Sequence, residues 1–212
     1  MCVIEDGILV LPLFRLPSWQ ESASGWPLWL DLPHRSSTRL TNVNVVVAIR
    51  AERASDASSI DEVTRQAFAA HRCSSHTEHF IVRALRETRA LSVSLVAVHT
   101  DQVVGHIAFS PVAVSDGSLG WYGLGPVSVL PSFQKRGIGR ALIEHGLSQL
   151  RELGASGCVL LGAPAFYARF GFTHHPGLVY ADAPREFSMA LAFASSFAEG
   201  TVTYHDAFAA AA

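Results

Sequence analysis

The stretch from Leu124 to Ile143, LGPVSVLPSFQKRGIGRALI, limits what this chain can fold into more than any other. Val127–Leu130 is a short apolar run with two β-branched residues, as in a buried strand. Pro131 ends it, because proline has no N–H to give to a sheet ladder. Gln134 to Gly139 then brings two cations and two glycines to the start of a helix. A helix N-terminus carries unpaired N–H groups and the positive end of the dipole, and glycine lets the backbone approach a ligand closely. Strand, loop and helix in this order predict a buried strand feeding an anion site, with Gln134, Lys135, Arg136, Gly137, Ile138, Gly139 and Arg140 around the anion.

The spacing narrows the choice of anion. A triphosphate-binding loop needs Gly, four residues and then Gly-Lys-Ser/Thr, and here the glycines are two apart. A dinucleotide fingerprint needs a third small residue where Leu142 stands, and no acidic residue follows at the ribose-binding distance. This disfavours a nucleotide-binding oxidoreductase. What remains is Gln-x-x-Gly-x-Gly directly after a strand ending in Leu-Pro, which resembles the acetyl-CoA loop of the GCN5-related N-acetyltransferase (GNAT) superfamily. A second segment, Phe166-Tyr167-Ala168-Arg169-Phe170-Gly171-Phe172, is similar to the Phe-Tyr-x-x-x-Gly-Phe that follows the fifth strand in that superfamily, and it lies at the expected separation. Gly162-x-Pro164 and Thr203–Phe208 look like one bacterial branch, the YhbS-like acetyltransferases.

The rest of the chain reads consistently with this. Val45–Ile49 is a strand, and Ser55 and Asp56 offer N-cap chemistry to a helix with Ile60, Val63, Ala67 and Phe68 at helical spacing. A second helix starts near Thr77 with Phe80, Ile81, Ala84 and Leu85 as its apolar face. Leu91–Val98 and Val103–Val114 form a hairpin about Asp101-Gln102. The next strand, Gly120–Leu130, is interrupted by Gly123, Gly125 and Pro126, which predicts a bulge or splay. The helix after Gly137 places Leu142, Ile143, Gly146, Leu147, Leu150 and Leu153 on one side. Cys158–Leu161 and Phe187–Phe193 are further strands, and Thr201–Tyr204 is one more or an edge. The predicted fold class is α/β (α+β), and the resemblance makes it a mixed, mostly antiparallel GNAT-type sheet flanked by helices and splayed between the fourth and fifth strands. Residues 1–44, which hold Trp19, Trp26 and Trp29 in a Pro/Ser-rich setting, are expected to be an appended, poorly ordered segment. Residues 45–194 are the expected N-acetyltransferase domain and 195–212 a C-terminal extension, an edge strand or tail.

Composition excludes several classes. Of the 212 residues, 49% are hydrophobic and only 16% charged, a globular balance. A net charge of -2 without a basic run leaves no electrostatic footprint for nucleic acid. Cys2, Cys73 and Cys158 are too scattered for a disulfide framework or a metal cluster, which suits a reducing, cytoplasmic setting. The amino terminus lacks a secretory pattern and no apolar run reaches 18 residues, so neither a signal nor a membrane span is expected. The His-rich stretch His71–His79 lacks four ligands at zinc spacing and is expected to hold no metal.

The resemblance implies an acetyl-CoA-dependent N-acetyltransferase acting on a primary amine of a small molecule or a peptide by direct attack in a ternary complex. The pantetheine arm would pair with Val127, Ser128 and Val129 as a pseudo-strand, the Val129 N–H would face the thioester oxyanion, and Tyr167 would protonate the departing thiolate. No carboxylate stands in Gly120–Leu124, where many relatives carry a glutamate base, so His106 is the best remaining candidate, ahead of Asp116, His174 and His175. That missing glutamate also admits a non-catalytic acyl-CoA-binding or sensor domain of the same fold. An open sheet edge is compatible with a homodimer. Glu78 and Glu87 are candidate amine anchors.

Overall fold

The computed structural model describes residues 46–70, 74–181, 183–194 and 197–211. The expected appended segment 1–44, Val45, and Cys2, His71 and Cys73 lie outside them. In chain order the strands are β1 (Ala48–Ala51), β2 (Val93–His99), β3 (Gln102–Pro111), β4 (Ala113–Val114), β5 (Trp121–Val129), β6 (Gly157–Leu161), β7 (Leu178–Val179), β8 (Ser188–Ala192) and β9 (Gly200–Thr203). The helices are α1 (Ala57–Phe68), α2 (Glu78–Glu87), α3 (Ile138–Glu152) and the one-turn α4 (Pro164–Tyr167). One six-stranded sheet runs β1-β2-β3-β5-β6-β8 and a three-stranded sheet runs β4-β9-β7. In the large sheet only the β5–β6 pair is parallel.

Two different layers cover that sheet. A Cβ on Gly105 would meet Leu142 at 3.1 Å and Ile138 at 3.3 Å, so Gly105 faces α3 and its missing side chain lets the helix come down close. Gly146 on α3 makes the matching room for the Phe109 ring. Ile138, Leu142, Ile143, Leu147 and Leu150 are buried against this face, each contributing roughly 1.5–3 kcal/mol by leaving water. Side chains alternate along a strand, so His106, next to Gly105, faces the other layer. There the Thr64 hydroxyl of α1 lies 3.1 Å from the Ser128 hydroxyl of β5, and Ser128 is the register partner of His106. One face is therefore aliphatic and the other, under α1 and α2, carries buried polar groups.

Several expectations change. Val103–Val114 is not one strand: β3 pairs with β5 as far as Pro111, the Val112 N–H still donates to the Trp121 carbonyl, and Ala113 and Val114 then pair with β9 as β4 of the smaller sheet. Thr201–Thr203 is not at an edge, because β9 runs between β4 and β7. Part of the expected C-terminal extension is likewise packed: Ala207 and Phe208 are buried against Ile81 and Leu85 of α2. The first strand begins at Ala48, with Val46 79% exposed. In α2, Val82 is buried while Phe80 and Ala84 are half-buried, and Leu153 is 59% exposed beyond the last turn of α3. Neither Asp56 nor Thr77 makes a side-chain cap. Asp56 instead binds the Arg50 guanidinium and accepts from the Arg53 N–H at 2.7 Å.

Candidate active site where β5 meets α3

The interruption expected in β5 is present as a register shift against β3. Ile107 pairs Val127 but Phe109 pairs Leu124, so one extra residue sits on β5 around Gly125 and Pro126. On its other side β5 pairs β6 only at Trp121, Tyr122 and Gly123. The Leu130 N–H donates to the Val104 carbonyl of β3. Backbone groups alternate along an extended strand, so the Val129 N–H and C=O point away from β3, as do those of Val127. The Gln134 side chain donates to the Val129 carbonyl at 3.0 Å. It thereby ties the loop to the end of the strand.

The loop itself makes one turn at Pro131–Phe133 and enters α3 at Gly137, whose φ of +82° is left-handed. A side chain there would be strained although the space is open. The first α3 hydrogen bond runs from the Ala141 N–H to the Gly137 carbonyl. The N–H groups of Ile138, Gly139 and Arg140 thus have no helical acceptor. Arg136 lies over the Phe133 ring and Arg140 pairs with Glu144 at 2.8 Å on the surface. Val127, Ser128 and Val129 are all buried, and the Ser128 hydroxyl is taken up inside by Thr64, so it is the backbone of this strand that faces the unpaired side.

Tyr167 closes α4 and is 2% exposed. Its ring is boxed by Phe166, Phe170 and Phe172 at centroid distances of 5.0, 6.4 and 6.1 Å. It lies directly over Gly162, where an added Cβ would stand 2.2 Å from the ring. Burial pushes its phenol well above the ordinary value, so it is a protonated donor at neutral pH. Burial likewise raises the Cys158 thiol inside β6, which leaves no thiolate for nucleophilic work.

His106 is completely enclosed, and burial lowers its pKa, so the ring is neutral. Its Nε2 lies 2.9 Å from the Ser94 hydroxyl and 3.7 Å from Glu52, and its buried Nδ1 has no partner. Ser94 donates to Glu52, and Arg86 of α2 grips the same carboxylate through Nε at 2.8 Å and a terminal nitrogen at 3.1 Å. Burial alone would raise Glu52, but contacts from His106, Arg86 and Ser94 outweigh it and hold the carboxyl far below the usual range. The sequence reading singles out His106 but misses its partners Glu52, Arg86 and Ser94. The available signal is the spacing of Arg50, within β1, and Glu52, just past its end, which places both on the face that carries His106.

The weaker candidates are elsewhere. Asp116 accepts the Ser118 and Glu199 N–H groups at 2.8 Å each in a surface turn. His174 reaches the Ser188 carbonyl at 3.3 Å, and His175 stacks on Phe197. Among the described residues no group of three or more His, Cys, Asp or Glu could hold a metal, and no helix is long and apolar enough to cross a membrane.

Comparison with known proteins joins these observations. The model of the acetyltransferase (GNAT) family matches residues 58–172. The N-acetyltransferase YhbS of Escherichia coli is 40% identical over 131 residues, which span 60% of this chain and 75% of that protein. A GNAT-family acetyltransferase from Brucella melitensis, solved in complex with acetyl-CoA, is 49% identical, with a TM-score of 0.69, covering 77% of this chain and 99% of that one. Escherichia coli YhbS, solved in complex with CoA, is 33% identical with a TM-score of 0.72, covering 84% of this chain and 97% of that one. With the strand, loop and second motif in place, and more than half of the chain inside the family model, the protein belongs to the GNAT acetyltransferase family, in its YhbS-like branch.

Proposed function

We propose that the protein moves the acetyl group of acetyl-CoA to a primary amine by direct attack within a ternary complex. The unpaired side of β5, running straight into the unbonded N–H groups of α3, carries this reading. The pyrophosphate sits on the N–H groups of Ile138, Gly139 and Arg140, with Gly137 giving close access and Lys135, Arg136 and Arg140 adding charge. Gln134 fixes the loop through Val129. The amide-rich pantetheine arm lies along Val127, Ser128 and Val129 as an added strand in a splay between β5 and β6. The acceptor nitrogen attacks the thioester carbon, and the oxyanion meets the Val129 N–H. The C–S bond then breaks, the thiolate takes the Tyr167 proton, the acetylated nitrogen loses its extra proton to water, and water returns a proton to the Tyr167 phenolate. His106, being enclosed, does not touch the amine in this scheme; it holds Ser94 and Glu52 in place.

The test is titration of the full chain with acetyl-CoA, followed by a primary-amine screen. Saturable binding that Gly137→Glu abolishes supports the donor site. A fall in kcat of about 100-fold or more in Tyr167→Phe, with acetyl-CoA affinity kept, supports the proton donor. Binding with no turnover on any amine would leave an acyl-CoA-binding domain in place of a transferase.

A further inference from the structure

Between the end of α1 and the start of α2 lies a cleft of about 260 Å³ lined by Arg65, Phe68, Ala69, His76, Glu78 and His79. Glu78 is only 2% exposed. One of its carboxylate oxygens accepts from the Ser74 hydroxyl at 2.5 Å, while the other is buried without a partner. Unpaired carboxylate oxygens are rarely buried, because desolvation is expensive. Of the described cations nearby, Arg65 pairs with Glu62 at 2.7 Å and Arg83 with Asp61 at 2.5 Å. Among the described residues no ion pair reaches Glu78. His79 is pushed toward its neutral form by burial. Glu78 therefore gives the cleft a buried carboxyl with one orphaned acceptor oxygen, which among the described residues meets no donor.

We propose that this cleft holds a cationic nitrogen of the acceptor, anchored by Glu78, and that this nitrogen is not the one acetylated. The inference rests on the transferase reading above. An ammonium paired to a carboxylate is held protonated, and a protonated nitrogen cannot attack a thioester. The acceptor then carries two amino groups, one anchored and one reacting. The volume falls just below the ~300–1,000 Å³ usual for drug-sized ligands, so it suits an alkylammonium end or one lysine-like side chain. Phe68 and Ala69 would line the alkyl part.

The probes are 1,4-diaminobutane, n-butylamine and 1,4-butanediol, titrated into the full-length protein while the imidazole carbon-bound proton resonances of His76 and His79 are followed by NMR. Saturable shifts with both amines and none with the diol are expected. Glu78→Gln should weaken amine binding about tenfold or more and leave acetyl-CoA affinity unchanged. In turnover, the best diamine of three to six carbons should have a lower KM than n-butylamine, and Glu78→Gln should erase that difference by raising KM with little change in kcat. Equal shifts with the diol, or unaltered amine binding in Glu78→Gln, would overturn the proposal. If that variant does not fold, the amine-against-diol comparison in the unaltered protein decides alone. If amines bind selectively but acetyl-CoA does not, the cation site stands and its assignment as an acceptor site falls with the transferase reading.

Discussion

Gly162→Ala tests the placement of Tyr167 by steric pressure. The new methyl would stand 2.2 Å from one ring carbon of Tyr167 and 2.6 Å from the next. Ordinary contact begins at about 3.4 Å, so the ring must move by about 1.2 Å or the backbone of residue 162 must yield. The ring has little freedom, with Phe166 edge-on at 5.0 Å and Phe172 edge-on at 6.1 Å. Forcing an extra methyl into such a site costs about 1–3 kcal/mol, and for a chain of this size each kcal/mol lowers Tm by about 2–4 °C. A displacement near 1 Å of a proton donor costs on the order of 100-fold in rate. The variant should therefore melt several degrees lower, bind acetyl-CoA normally, and lose about two orders of magnitude in kcat. Combining it with Tyr167→Phe separates the effects, because the double variant should turn over no more slowly than Tyr167→Phe alone. A Gly162→Ala protein with unchanged Tm and kcat would refute both the ring position and its role.

Other perturbations reach other parts of the molecule. His106 resists protonation in the native state, whereas the unfolded chain takes up that proton near the ordinary value of 6.5; its share of stability is present above that pH and lost as pH falls below it. His106→Gln should thus show a flatter stability curve than the parent between about pH 7.5 and 5.5 in urea melts, and parallel curves would contradict the neutral, enclosed ring. Glu52 stays out of this window, since its lowered pKa confines its loss of stability to pH below its ordinary 4.5. Gly146→Ala places a methyl 2.2 Å from the Phe109 ring and should destabilise the α3 layer by about 1–3 kcal/mol in chemical denaturation. Phe208→Ala removes a ring that is 5% exposed against α2 and should cost about 3 kcal/mol or more; an unchanged melt would mean that the segment after residue 197 is not docked.

What could be read from the sequence was what the backbone determines locally. Gln134 to Gly139 announce a left-handed entry into a helix, and the Gly125-Pro126 pair announces the register shift in β5, because both depend on residues whose allowed backbone angles are unusual. The Tyr167 segment was legible through resemblance, yet the reason Gly162 precedes it is visible only once the ring is seen lying on it. The Glu52–Arg86–Ser94–His106 cluster was not legible. Its members come from the residue just past β1 and from α2, β2 and β3, and contacts such as Glu52–Arg86 and Glu52–Ser94, 34 and 42 residues apart, have no local signature. Strand ends slipped for the same reason. Whether Val112 to Val114 continue one sheet or start another depends on the β9 partner that arrives some 90 residues later.

The docking of Ala207 and Phe208 on Ile81 and Leu85 has a consequence for the birth of the protein. The cover for α2 is made more than 120 residues after the helix itself. At ~5–20 residues per second, a nascent chain carries α2 without that cover for on the order of 10 s. Through this interval the helix bordering the Glu78 cleft carries Ile81 and Leu85 without the residues that cover them in the finished fold, so this stripe is completed only after nearly the whole chain is made.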